Sequence, residues 1–185
     1  MRPSATSLTA LNKALRRFRR NRSGSAAVEF AFIAPLFFVL LFAIMETALM
    51  FFATQVLETG THDSARLVLT HQAQDAGMTR PQFSADLCNR VKVLFSCDDS
   101  LTSPLVISVK SYKPGVAIPA ADLANPITGG VMTAAPTYQT SSPGDTVVVR
   151  TFYQWPLFVT GLGYNIANLG SKRLLSATAA FRVEP

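Results

Sequence analysis

Sixteen consecutive residues, Phe30 to Met45, carry no charge, and apolar character resumes after Glu46 as far as Ala53. Seven of the thirteen phenylalanines fall between Phe30 and Phe52. About 20 apolar residues rising about 1.5 Å each cross a hydrocarbon core of roughly 30 Å, so a helix entered at Ser25 leaves that core near Met45 and puts Glu46 at the far interface. Seven basic residues precede Gly24 (Arg2, Lys13, Arg16, Arg17, Arg19, Arg20 and Arg22), with no acid among them. Cations beside a first apolar segment stay in the cytoplasm, which sends the chain beyond Phe52 across the membrane. The same distribution removes a nucleic-acid reading. The formal charge is +6, yet ten basic and eleven acidic side chains follow Gly24, so the basicity belongs to the arm. At 185 residues, 49% of them hydrophobic, the chain has room for one membrane element and one modest domain.

Three kinds of N-terminal segment begin this way. A conventional secretory signal is cut after its apolar core at small residues, whereas Ala53, Thr54, Gln55, Val56, Leu57 and Glu58 continue in helical style. An uncleaved signal anchor explains the hydropathy equally well. The third kind rests on the junction itself, Arg22-Ser23-Gly24-Ser25-Ala26-Ala27-Val28-Glu29-Phe30. Glu29 lies four residues past Ser25, about 6 Å into the helix, where an unpaired charge costs up to about 3 kcal/mol. A cation within reach would pair with it; snorkelling of Glu29 to the near interface is the simpler reading. Pro35 removes one backbone donor and is expected to loosen the helix locally. Leu8, Leu11, Leu15 and Phe18, spaced three and four apart among cations, fit either an amphipathic helix on anionic lipid or a solvated tail.

The junction resembles a class III signal, in which a glycine ends a basic leader and a glutamate with an aromatic neighbour follows at mature positions five and six; Gly24, Glu29 and Phe30 match that pattern. The continuation Phe30-Ala31-Phe32-Ile33-Ala34-Pro35-Leu36, with Glu46 near the membrane exit, resembles the TadE-like minor pilins and pseudopilins of the tight-adherence (Tad/Flp) pilus system, and the ending Ala177 to Pro185 is similar to endings in that family. The resemblance covers about Arg22 to Thr70 and the tail. It implies a processing site at Gly24 and Ser25, and an assembly charge at Glu29 beside Phe30. It also implies a prepilin peptidase, other minor pilins, the major pilin and the lipid membrane as partners, with a single-pass location in a bacterial inner membrane. The expected parts are a basic cytoplasmic leader (1–24) that is removed, a transmembrane helix (25–53), and a periplasmic helix with a small head (54–185). An uncleaved, membrane-anchored periplasmic binding module is the rival.

Beyond Phe52 the helical spacing continues through Val56, Leu57, Gly60, Ser64, Leu67 and Val68, and Gly77 followed by Pro81 reads as a stop, so one helix is expected from Ser25 to about Ala76. Gly60 weakens that run by roughly 1 kcal/mol relative to alanine and reads as a bend. Phe83, Leu87, Val91 and Leu94 give a second short helix from about Pro81. Three β-branched stretches, Leu105 to Lys110, Thr146 to Tyr153 and Leu174 to Val183, read as strands. Five prolines between Ser111 and Asp145 predict an irregular loop with one helical turn near Ala120 to Leu123. The fold class is therefore α+β, a long membrane-spanning helix continuing into a small head with an antiparallel sheet.

Cys88 and Cys97 lie nine apart on the exported side, a spacing that a disulfide closes in an oxidising compartment. No catalytic or metal-ligating set is expected. His62 and His71 fall on opposite faces of a helix, His62-Asp63-Ser64 point in different directions, Asp98-Asp99 reads as a solvated turn, and Gly129-Gly130 and Gly161-Leu162-Gly163 lack the spacing of a phosphate loop. Trp155 reads as core or sheet-edge packing. No cofactor and no enzymatic activity are expected.

Overall fold

The computed structural model describes residues 24–97, 104–159 and 165–184, together with Lys13, Arg16 and Arg17. Leu8, Leu11, Leu15, Phe18, Asp98, Asp99 and the 161–163 segment lie outside the described residues. The chain forms two compact units, 1–43 and 44–185.

Helix α1 runs Ser25–Leu69, 45 residues with Pro35 inside it. It stops seven residues short of the expected end. His71 adopts a left-handed backbone (φ 65°), which turns the chain out of the helix after Leu69. A separate short helix, α2 (Gln72–Asp75), follows. Gly77, the anticipated stop, closes α2 instead. Its N–H donates to Gln74 O (2.9 Å) and that of Met78 to Ala73 O (2.8 Å), a Schellman pair built on the positive φ of Gly77. Helix α3 (Arg80–Val91) opens where Pro81 was expected to start one, with a capping box between Thr79 and Gln82.

The strands are β1 (Leu105–Tyr112), β2 (Ile127–Thr128), β3 (Val131–Met132), β4 (Thr137–Tyr138), β5 (Thr146–Pro156) and β6 (Lys172–Arg182), with a helical turn α4 (Ala120–Leu123) after β1. The main sheet has the order β4-β1-β5-β6; β1, β5 and β6 pair antiparallel and β4 joins β1 parallel. All three long strands stand where the sequence places them, and β5 runs on to Pro156. The 111–145 segment departs from expectation: besides the helical turn it holds the β2–β3 hairpin and β4.

Side-chain alternation sets which face is covered. Ile107 and Val109 of β1, Val147, Val149, Tyr153 and Trp155 of β5, and Leu175, Ala177 and Ala179 of β6 share one core with Ala53, Leu57, Ala65 and Val68 of α1 and Phe83, Leu87 and Val91 of α3. Thr61 in that core is satisfied twice, donating to Leu57 O (2.7 Å) and meeting Thr151 Oγ1 at 3.0 Å. Trp155 is core, packed with Phe95 and Tyr153. A disulfide joins Cys88 of α3 to Cys97. On the opposite face Phe152, Leu169 and Leu174 make a smaller cluster with Ile127, Met132 and Ala134.

Gly60 has a different purpose from the expected bend. A Cβ built there would stand 2.5 Å from Val91 Cγ1, so the missing side chain is what lets α3 close on α1. Gly60→Ala gains about 1 kcal/mol of helix propensity and loses about 1–3 kcal/mol to overpacking against a buried, stiff side chain, for a net loss near 1 kcal/mol. Denaturant unfolding should show this loss. It should also show Val91→Ala costing less in the Gly60→Ala background than in the natural chain.

Candidate functional site

Among the described residues, three polar groupings touch the expected site residues, the far end of the apolar run or a cavity. The first is the start of α1. Gly24 O accepts the N–H of Val28 (3.0 Å), which makes Gly24 the residue before the first helical turn. Nothing lies within 4 Å of where a Cβ on Gly24 would stand, so no neighbour crowds the position. The Ser25 hydroxyl donates to Glu29 Oε1 at 2.9 Å, one helical turn on, and Phe30 stands exposed beside it. The expected processing and assembly residues are thus contiguous at the mouth of an apolar helix whose side chains, Phe32, Ile33 and Leu36 among them, point outward into no protein. By length and composition α1 is able to cross a membrane.

The second place is Glu46, 7% exposed in an otherwise apolar stretch. Its carboxylate accepts the backbone N–H of Phe158 through Oε1 and that of Val159 through Oε2 (3.0 Å). A buried carboxylate is tolerated only when donors replace its water, and two backbone donors do so here. Sequence spacing placed Glu46 at an interface but had no means of finding donors more than a hundred residues away.

The third is a cavity of about 440 Å³ between the outer face of the sheet and the 111–145 segment, lined by Ser108, Lys110, Asp122, Asn125, Arg150 and Phe152 among others. Asp122 is its hub. The carboxylate accepts from Lys110 Nζ (2.5 Å) and the Tyr112 hydroxyl (2.7 Å), while its backbone carbonyl accepts from Arg150 Nη1 (2.6 Å), a guanidinium that also donates to Ala124 O (3.1 Å) and lies 4.8 Å over the Phe152 ring. Asp145 closes the neck of the same segment, accepting from Ser142 N, Ser111 Oγ and Lys113 Nζ. The segment expected to be irregular is therefore held by two carboxylates, Asp145 joining its two ends and Asp122 tying its interior to β1.

These bonds move the titrations. The hydrogen bond from Lys110, then that from Tyr112, holds the Asp122 carboxyl below the usual carboxylate range, so its contribution is present at neutral pH and fades as pH falls through the lowered value. The backbone N–H of Ser142 acts first in the same direction on Asp145. Burial, then the bond to Asp122, pushes the Tyr112 hydroxyl up to about 12. The unfolded phenol ionises near 10.0, so this group weakens the fold as pH rises from there toward about 12. A phenolate absorbance titration of the folded chain should show a late phase, to which the Tyr138 hydroxyl, also raised by burial, contributes, that Tyr112→Phe reduces and that denaturant merges with the rest.

A helix long and apolar enough to cross a membrane leads into a small α+β head, the arrangement of a membrane-anchored protein. Residues 24–66 match the model of the family described as TadE-like protein. That family is one of pilus components, and the match is consistent with a protein of the Tad pilus system. No curated protein and no solved structure gives a significant match.

Proposed function

We propose that this chain is a minor pilin or pseudopilin of a Tad/Flp-type pilus. A prepilin peptidase removes residues 1–24. The helix from Ser25 holds the product in the bacterial inner membrane with the head in the periplasm, where it takes part in pilus assembly or adhesion beside other minor pilins and the major pilin. The observation that carries the reading is a coincidence of boundaries: the matched segment begins at Gly24, the helix begins at Ser25, and no neighbouring atom requires Gly24 to lack a side chain. In this reading 25–53 is the transmembrane helix, which leaves the hydrocarbon core near Glu46 and carries its last residues at the interface, and 54–185 is the exported part. The test is expression with and without the cognate prepilin peptidase. The chain should shorten only when the peptidase is present; a chain of one length in both cells contradicts the proposal.

The cavity under the 111–145 segment favours a second reading, an uncleaved anchored module that binds a small polar ligand between Lys110, Asp122 and Arg150. It predicts full-length protein in both cells.

A further inference from the structure

We infer that the head docks on an anionic lipid surface through the turn 157–159, with Phe158 seated among the headgroups and Glu46 holding the turn at that depth. The inference rests on the reading of α1 as a membrane helix.

Its first support is continuity. An α-helix needs about 20 residues for a core of roughly 30 Å, and the exposed apolar surface of α1 does not stop there. Met45, Leu49, Phe51 (64% exposed) and Phe52 (58%) carry it onward within the second unit. Glu46 interrupts this surface in sequence only, because its carboxylate is turned onto the N–H groups of Phe158 and Val159. Those two bonds fix the turn beside Glu46, the level at which the helix leaves the hydrocarbon core. There Phe158 is 78% exposed, an aromatic ring with no cover at the depth where aromatic side chains favour the membrane interface.

The second support is charge. Lys172 pairs in register with Pro156, two residues before Phe158, and Arg173 follows it. Lys172 Nζ bonds to the amide oxygen of Gln154 and Arg173 Nη1 to the carbonyl of Ile166, both neutral acceptors. Two consecutive cations on the strand beside the turn make this edge of the sheet basic, which suits lipid phosphates.

The test uses the full chain carrying Trp155→Phe and Phe158→Trp, reconstituted into vesicles of mixed phosphatidylcholine and phosphatidylglycerol with bromine on the upper acyl carbons. A parallel chain with Trp155→Phe and Phe37→Trp reports on α1. Docking predicts that bromine lowers emission from the indole at position 158 about twofold or more, and that aqueous acrylamide quenches it about threefold less than in the denatured chain. Glu46→Gln, which keeps the side-chain shape, should reduce the bromine effect by releasing the turn. If the indole at position 37 is quenched by bromine while that at 158 is open to acrylamide, docking is wrong and the anchor stands. An indole at 158 shielded from both quenchers is packed on protein, which also overturns docking. Quenching at neither position removes the membrane reading itself, and docking with it.

Discussion

Replacing Gly24 with valine leaves the basic arm attached to nearly every molecule while the head folds as before. The two halves of this result have separate causes. A Cβ at Gly24 meets nothing within 4 Å, so the variant loses only glycine's N-cap advantage over valine, on the order of 1 kcal/mol or less in the first turn of α1, and the head should keep its stability to within about 0.5 kcal/mol. The peptidase, by contrast, must bring its catalytic groups against the scissile backbone, and a branched side chain next to that bond obstructs the approach. A displacement of about 1 Å from productive geometry costs on the order of 100-fold in rate. Immunoblotting of membranes checks the first half, and denaturant unfolding of the purified variant checks the second. A variant cut at the natural rate would mean that the glycine at this junction serves no enzyme.

Glu29→Ala should be cut and inserted normally and yet be lost from its assembly, with recovery of pilin partners down about tenfold or more. Before cleavage Ser25 is an internal residue whose hydroxyl bonds to Glu29. After cleavage it carries an ammonium group one turn from that carboxylate, and the pair, within one chain or between neighbours, sits where an isolated charge costs up to about 3 kcal/mol. Removing the carboxylate removes a costly group from the inserted monomer, so insertion does not suffer. The amine is left unpaired, so association does. Glu29→Asp, shorter by one methylene, should restore part of the recovery. Normal co-purification and piliation by Glu29→Ala would end the charge-pairing mechanism even with cleavage confirmed.

The features legible in the sequence are those that local pattern specifies. The uncharged run gives α1, its start after Gly24 follows from the junction, and the β-branched stretches give β1, β5 and β6 close to their observed bounds. The helical turn at Ala120–Leu123 was legible from the same local spacing. The misses share another cause. His71 ends α1 through a left-handed backbone that a histidine rarely adopts, so composition pointed past it to Gly77. The strands β2, β3 and β4 are two residues long, too short for any period to register; β4 persists because β1 pairs with it, and the β2–β3 hairpin because Ile127 and Met132 pack on the cluster of Phe152, Leu169 and Leu174. Gly60 reads as a weak helical residue until Val91 is seen against it. Glu46 finds its donors at Phe158 and Val159, and Arg150 finds carbonyls at Asp122 and Ala124. Such pairings belong to the folded chain and leave no mark in sequence spacing.

The intact mass of protein extracted from membranes of its natural host bears most directly on the central claim. The account predicts a chain that begins at Ser25, lacking all seven cations of the arm, with Cys88 and Cys97 oxidised to one disulfide. A mass corresponding to Met1 through Pro185 would contradict processing and leave a permanently anchored module in place of a pilin.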